Sequence, residues 1–180
     1  MTAVTSPFTE PSRCKRLKAA SSRDHDSVDQ LVMAARPFEN RERYGRFLQV
    51  QHRFHGSLLA LYQDEQLNQQ LPGLAALSRF AAVEADLRDL GLSLPTSTQP
   101  VCVSSAQALG WLYCSEGSNL GAAFLYKHTQ RLGLEGDKGA RHLAPHPDGR
   151  ALHWRAFVAR LDSLVPVSYT HLTLPTTPYV

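Results

Sequence analysis

His25 sits three residues before Val28 and seven before Val32, so on a helix the three side chains share one face. An imidazole on such a stripe has two ordinary uses. It can be a satisfied core residue, or it can be the single axial ligand that a haem iron takes from a protein. A second unusual feature is the segment ALGWLYCSEGSNLGAAFLYKH, residues 108–128. Gly117 and Gly121 stand four apart on one helical face, with Gly110 close to it. Each glycine inside a helix costs about 1 kcal/mol relative to alanine. Either another helix packs tightly there, or the backbone must approach or bend over a flat ligand. Ser118 and Asn119, between the glycines, can satisfy loosened carbonyls or hold water. Gln51 and His55 interrupt an apolar stripe of Leu48, Leu58 and Tyr62, and Arg79 can join them from the next helix. Buried polar groups need partners, so these residues are either a satisfied polar edge or a hydrogen-bonded water network beside a site.

Other chemistry is poorly supported. There is no phosphate loop, no HExxH, no ordered Ser-His-Asp set and no ExxH pair of the di-iron kind. His142, His146 and His153 surround a proline-rich loop and read as solvent-exposed rather than as a metal site.

The elements that must hold these residues are helical. Ser22 or Asp24 can cap a first helix, with Val28, Leu31 and Val32 inward and Pro37 ending it. The clearest helix runs from about Asn40 to Leu71 with a break near Asp64, and Pro72-Gly73 stops it. A third carries Leu74, Leu77, Phe80, Leu87 and Leu90 and ends at Gly91. After a loop over 91–104, Ser104 or Ser105 caps a long helix from Ala106 to about Leu132. Residues 133–150 form a glycine- and proline-rich loop, and Ala151 to Leu164 is amphipathic, with Leu152, Phe157, Val158, Leu161 and Leu164 inward. The expected architecture is all-α, in one domain.

Composition agrees. With 180 residues, 43% hydrophobic and 19% charged, the chain is a soluble single domain with a core of its own. Cys14, Cys102 and Cys114 are odd in number and have neither CxxC nor finger spacing, which fits a reducing, cytoplasmic location. No apolar run nears membrane-spanning length, and the N-terminus has no secretory apolar core. The net charge of +3 does not argue for nucleic acid, but Arg13 to Arg53 holds ten Lys/Arg against five Asp/Glu, a surface for an anionic partner or simply a solvated face.

Residues 1–14 read as a mobile tail and 15–164 as the domain. The last stretch, 165–180, has three prolines and no helical period. Its VSYTHL string is what one frame of a common sequencing adapter encodes, so this tail is expected to be foreign and a native C-terminal helix to be missing.

The segments HDSVDQLV, PFENRERYGRFLQVQ, ALGWLYCSEGSNLGAAFLYK and GARHLAPHPDGRALHW together resemble the small bacterial haem oxygenases of the iron-acquisition type, from about Arg16 to Leu164. The resemblance implies a haem-oxygenase fold, with haem between a proximal helix and a kinked distal helix. It places the iron ligand on His25, the distal glycines on Gly117 and Gly121 with Ser118 and Asn119 between them, and a distal network on Gln51, His55 and Arg79. Propionate contacts fall on Lys18 and Tyr113, and a further basic contact on His128 with Lys127 adjacent. Haem is then cofactor and substrate, cleaved with O2 to biliverdin, carbon monoxide and ferrous iron. Electrons come from an external reductase, ferredoxin or flavodoxin, since no flavin or nicotinamide fingerprint is present. Within the family, a lysine–tyrosine propionate pair accompanies cleavage at the α position, and an asparagine–phenylalanine pair cleavage mainly at δ. Biliverdin can serve iron release or supply a photoreceptor; the chain is expected to be a monomer.

Overall fold

The computed structural model describes residues 12–96 and 98–164. They form six α-helices: α1 (Arg13–Ala34), α2 (Arg41–Gln63), α3 (Glu65–Gln70), α4 (Phe80–Asp89), α5 (Ser105–Gln130) and α6 (Arg150–Ser163). Short 3-10 turns at Leu74–Leu77 and Arg141–Leu143 join them. No β-strand occurs among the described residues, so the all-α expectation holds. The tail expected over 165–180 lies outside the described residues, as do residues 1–11.

The helix boundaries follow from local hydrogen bonding. Asn40 Oδ1 accepts from Arg43 N at 2.9 Å and starts α2. Ser104 and Gln107 form a reciprocal capping box at the start of α5. The break near Asp64 is real: its extended backbone ends α2 while its carboxylate caps α3. The stretch from Leu74 to Gly91 is not one helix, because extended Ser78 separates the 3-10 turn from α4.

The first helix begins about ten residues earlier than its sequence suggests. Ser12, not Ser22 or Asp24, is the cap, accepting from Lys15 N at 3.3 Å. Ser21 and Ser22 instead turn their hydroxyls back to the carbonyls of Leu17 and Ala19, which serine can do inside a helix. Cys14 and Leu17 are buried against α6, and the Cys14 amide donates to Asp162 at 3.0 Å. Cys14, placed in the tail by sequence, is thus part of the packed body.

Two clusters make the core. Leu58, Tyr62, Leu112, Phe157 and Leu161 join α2, α5 and α6, with Cys14 at the edge. Tyr44, Leu48, Val83, Leu87 and Leu134 join α2 to α4 and the loop after α5. Leu152, expected inward, is 54% exposed; Trp154 meets the core instead, beside Phe157, Val158 and Leu161, which face it as expected. The Val28–Leu31 stripe is likewise uncovered. Helix α1 is anchored near its start by Cys14 in the first cluster, and at its end by Val32, with Phe38 just beyond, against the second. Residues 22–31 between those anchors are all exposed, and no described element covers them.

Leu112 is fully buried at the centre of the first cluster. Leu112→Ala should therefore lower unfolding stability by about 3 kcal/mol. Urea titration should show an earlier midpoint with an unchanged slope.

Candidate active site

The polar residues singled out on α2 and α5 converge. Gln51, His55, Ser118 and Asn119 line one small cavity with Phe47, Ala122, Leu125, His142 and Leu143. About 60 Å³ of it can hold the centres of water molecules, room for a few waters with several polar partners. The register of the two helices produces this. His55 is one turn after Gln51, and Ser118 and Asn119 lie together on the facing stretch of α5.

The imidazoles around the cavity are incompletely bonded by protein. His55 Nδ1 and His142 Nε2 are buried without a protein partner. His142 Nδ1 lies 2.7 Å from Asp86 Oδ2, and its amide donates to the same oxygen at 3.0 Å. Asp86 is itself fully buried and also accepts from Arg141 N at 2.9 Å. A carboxylate at Nδ1 leaves Nε2 as the acceptor of a neutral ring. Burial, followed by the nearby charges of His142 and Arg79, pushes His55 down to about 3. Burial likewise lowers His142, against the opposing pull of Asp86.

Arg79 is not a wall of the cavity. Its guanidinium donates to the carbonyls of His142, at 3.3 Å, and Ala144, at 2.9 Å, and so secures the loop that carries His142. Arg150 ties the same region, donating to Asn119 O at 2.7 Å and to Leu143 O.

The glycines of α5 divide in role. A Cβ on Gly117 would stand 3.3 Å from the Trp154 ring, so here the glycine accommodates α6. A Cβ on Gly121 would meet nothing within 4 Å. Helix α5 runs through both without a break, and Ser118 Oγ donates to Ser115 O at 2.7 Å.

The remaining candidates lie apart from the cavity. His25 is on the uncovered middle of α1, its side chain 70% exposed rather than buried, with Nδ1 3.4 Å from Asp29 Oδ2. Lys18 is exposed on the same helix. Tyr113 is half-buried with its ring centroid 5.1 Å from that of Trp154. Lys127 is exposed, and His128 lies between Phe38 and Phe124 at ring distances of 5.5 and 4.6 Å. Both α1 and α5 present bare apolar side chains, Val28 and Leu31 on one, Leu120 and Phe124 on the other.

The Heme oxygenase family profile matches residues 12–170. The chain belongs to the haem oxygenase family. It is 44% identical over 155 residues to heme oxygenase PigA of Pseudomonas aeruginosa, an alignment covering 84% of this chain and 78% of that one. The crystal structure of NO- and CO-bound heme oxygenase from Neisseria meningitidis superposes with a TM-score of 0.82 at 49% identity, covering 86% of this chain and 79% of that one. The protein is thus an oxidoreductase of this family, with haem as its substrate. Among the described residues no helix is long and apolar enough to cross a membrane.

Several site residues of this haem oxygenase escaped the sequence reading. His142, taken as a solvent-exposed loop histidine, is 2% exposed. Asp86 had a legible signal, since it interrupts the apolar helical face of Val83, Leu87 and Leu90. The loop histidine had none, because its burial depends on Asp86 and Arg79, distant in sequence. Among the described residues no group of three or more His, Cys, Asp or Glu is arranged to hold a metal ion.

The depressed His55 fixes a sign for acid stability. An unfolded histidine titrates near 6.5. Between that pH and about 3 the unfolded chain binds a proton at His55 that the folded chain does not. This contribution is complete above about pH 6.5 and is lost as the pH falls, reaching about 2 kcal/mol at pH 5. The stability gap between parent and His55→Gln should therefore narrow by that amount between pH 7 and pH 5 in denaturant titrations.

Proposed function

We propose that the chain cleaves haem with O2 and external electrons to biliverdin, carbon monoxide and ferrous iron, at the α position. The observation that carries the reading is the placement of His25. Its imidazole stands exposed on a stretch of α1 that no described element covers, beside the apolar Val28 and with the Asp29 carboxylate 3.4 Å from Nδ1. That arrangement leaves Nε2 free, as a metal-binding histidine oriented by a second carboxylate requires. The bare apolar side chains of α1 and α5, the open side of Gly121 and the two unpartnered imidazole nitrogens fit a large flat apolar ligand with a wet polar edge.

When bound, haem supplies the iron at which dioxygen is activated. His25 would hold that iron through Nε2. Gly121 leaves room on the distal side, where a side chain would crowd a small gas molecule. Gln51, His55, Ser118 and Asn119 would hold cavity water and pass protons along it, with Arg79 fixing the loop that presents His142. Lys18, Tyr113, Lys127 and His128 would meet the propionates, Lys18 by charge and Tyr113 by a neutral hydrogen bond. We place the reaction in the cytoplasm, with a ferredoxin, flavodoxin or NADPH-dependent reductase as electron donor. The exposed basic residues Lys15 and Lys18 suit an acidic donor or the propionates themselves. The biliverdin can end as waste from iron release or as a photoreceptor's chromophore.

Two experiments test this. His25→Ala should lose tight haem binding, with the Soret band partly restored by added imidazole; a variant that binds and degrades haem like the parent would overturn the ligand assignment. Lys18→Asn/Tyr113→Phe should shift the product from α- toward δ-biliverdin on chromatographic separation. A mainly β or δ product from the parent would defeat the proposed clamp.

A further inference from the structure

A buried carboxylate beside the cavity takes no part in the account above. Glu116 is 1% exposed on α5. The Tyr62 hydroxyl lies 2.7 Å from its Oε1, and His153 Nε2 lies 2.8 Å from its Oε2. The Asn119 side-chain amide, on the cavity wall, is 3.5 Å from that same Oε2. On the outer side, the His153 ring stacks on the His146 ring at 4.3 Å with 16° between their planes. His146 Nδ1 is 3.6 Å from Asp148 Oδ2, and the two side chains are 26% and 69% exposed. Ionisable groups therefore line the way from solvent, Asp148 and His146 stacked on His153, to a carboxylate one side chain from the cavity. A tie between α2, α5 and α6 needs only a hydrogen bond to Glu116. It does not need a pair of imidazoles leading outward.

We propose that His153 and Glu116 form the proton inlet of the distal cavity. This rests on the distal reading of that cavity given above. The step balances simply. His153 takes a proton from solvent water at Nδ1, beside the partly exposed His146 ring. Its Nε2–H bond breaks as an O–H bond forms on Glu116 Oε2, cancelling the positive ring against the negative carboxylate. The Glu116 O–H then gives its proton to cavity water at Asn119 and returns to carboxylate. A ring flip brings the remaining N–H of His153 back to Glu116. The groups facing this pair are Tyr62 from α2, Asn119 on α5, His146 from the loop, and the charge of Arg79, which acts on Glu116 from the segment before α4.

The test is His153→Gln in the full chain. Its amide can still donate to Glu116 but carries no transferable proton. The first readout is exchange of the Tyr62 hydroxyl proton with water, followed by NMR in the haem-free protein. The second is turnover of the haem complex in H2O and D2O. The inlet predicts a parental melting temperature and parental hemin affinity, with hydroxyl exchange slowed about tenfold or more. Turnover should fall by a similar factor with a larger solvent isotope effect. Parental exchange and turnover in His153→Gln would overturn the inlet and leave a structural tie. If that variant does not fold, Glu116→Gln keeps an acceptor for Tyr62 and is judged by the same exchange rate. A parent chain that binds no hemin would sink the function proposed above, while the exchange rate still decides the inlet.

Discussion

A carboxylate placed in a helical core has to be met by donors on nearly every side, because desolvating its charge costs several kcal/mol. Two such groups, Asp86 and Glu116, govern how this protein is put together. Asp86 collects the amides of Arg141 and His142 and the His142 ring, so the loop after α5 has one position on α4. Glu116 collects Tyr62 from α2 and His153 from α6, so three helices share one register. Apolar packing alone tolerates sliding; these contacts do not. The cavity lies where the two systems meet, and both its order and its polarity follow from them.

That dependence explains what could be read beforehand. The helices of the body were legible because their apolar periods are strong and their caps local, as at Asn40, Asp64 and Ser104. Gln51, His55, Ser118 and Asn119 were legible for the same reason, since a polar residue inside an apolar stripe is visible in one dimension. His142 was not, because nothing nearby in sequence predicts that a loop histidine will be drawn inward by Asp86, 56 residues away. The start of α1 was misread because Ser22, a cap candidate, bonds backward into its own helix.

The reading of α1 failed in a more instructive way. Its period correctly placed His25, Val28 and Val32 together, but a shared face is not a buried face. Burial needs a partner, and periodicity says nothing about whether the chain supplies one. Only Val32 finds cover within the fold. Gly117 shows the converse. Both uses of a helical glycine were open, and the one observed is close packing, by Trp154.

Helix α1 is built like a footbridge, gripped at its abutments and bare along its span. Among the described residues the stretch 22–31 is exposed throughout and shares little in the cooperativity of the bundle. Its helical order is governed by helix–coil opening, a far smaller free energy than that of unfolding the domain. Opening of two or three turns of the span leaves both core clusters closed. By the same linkage, a molecule bound against the span stiffens it.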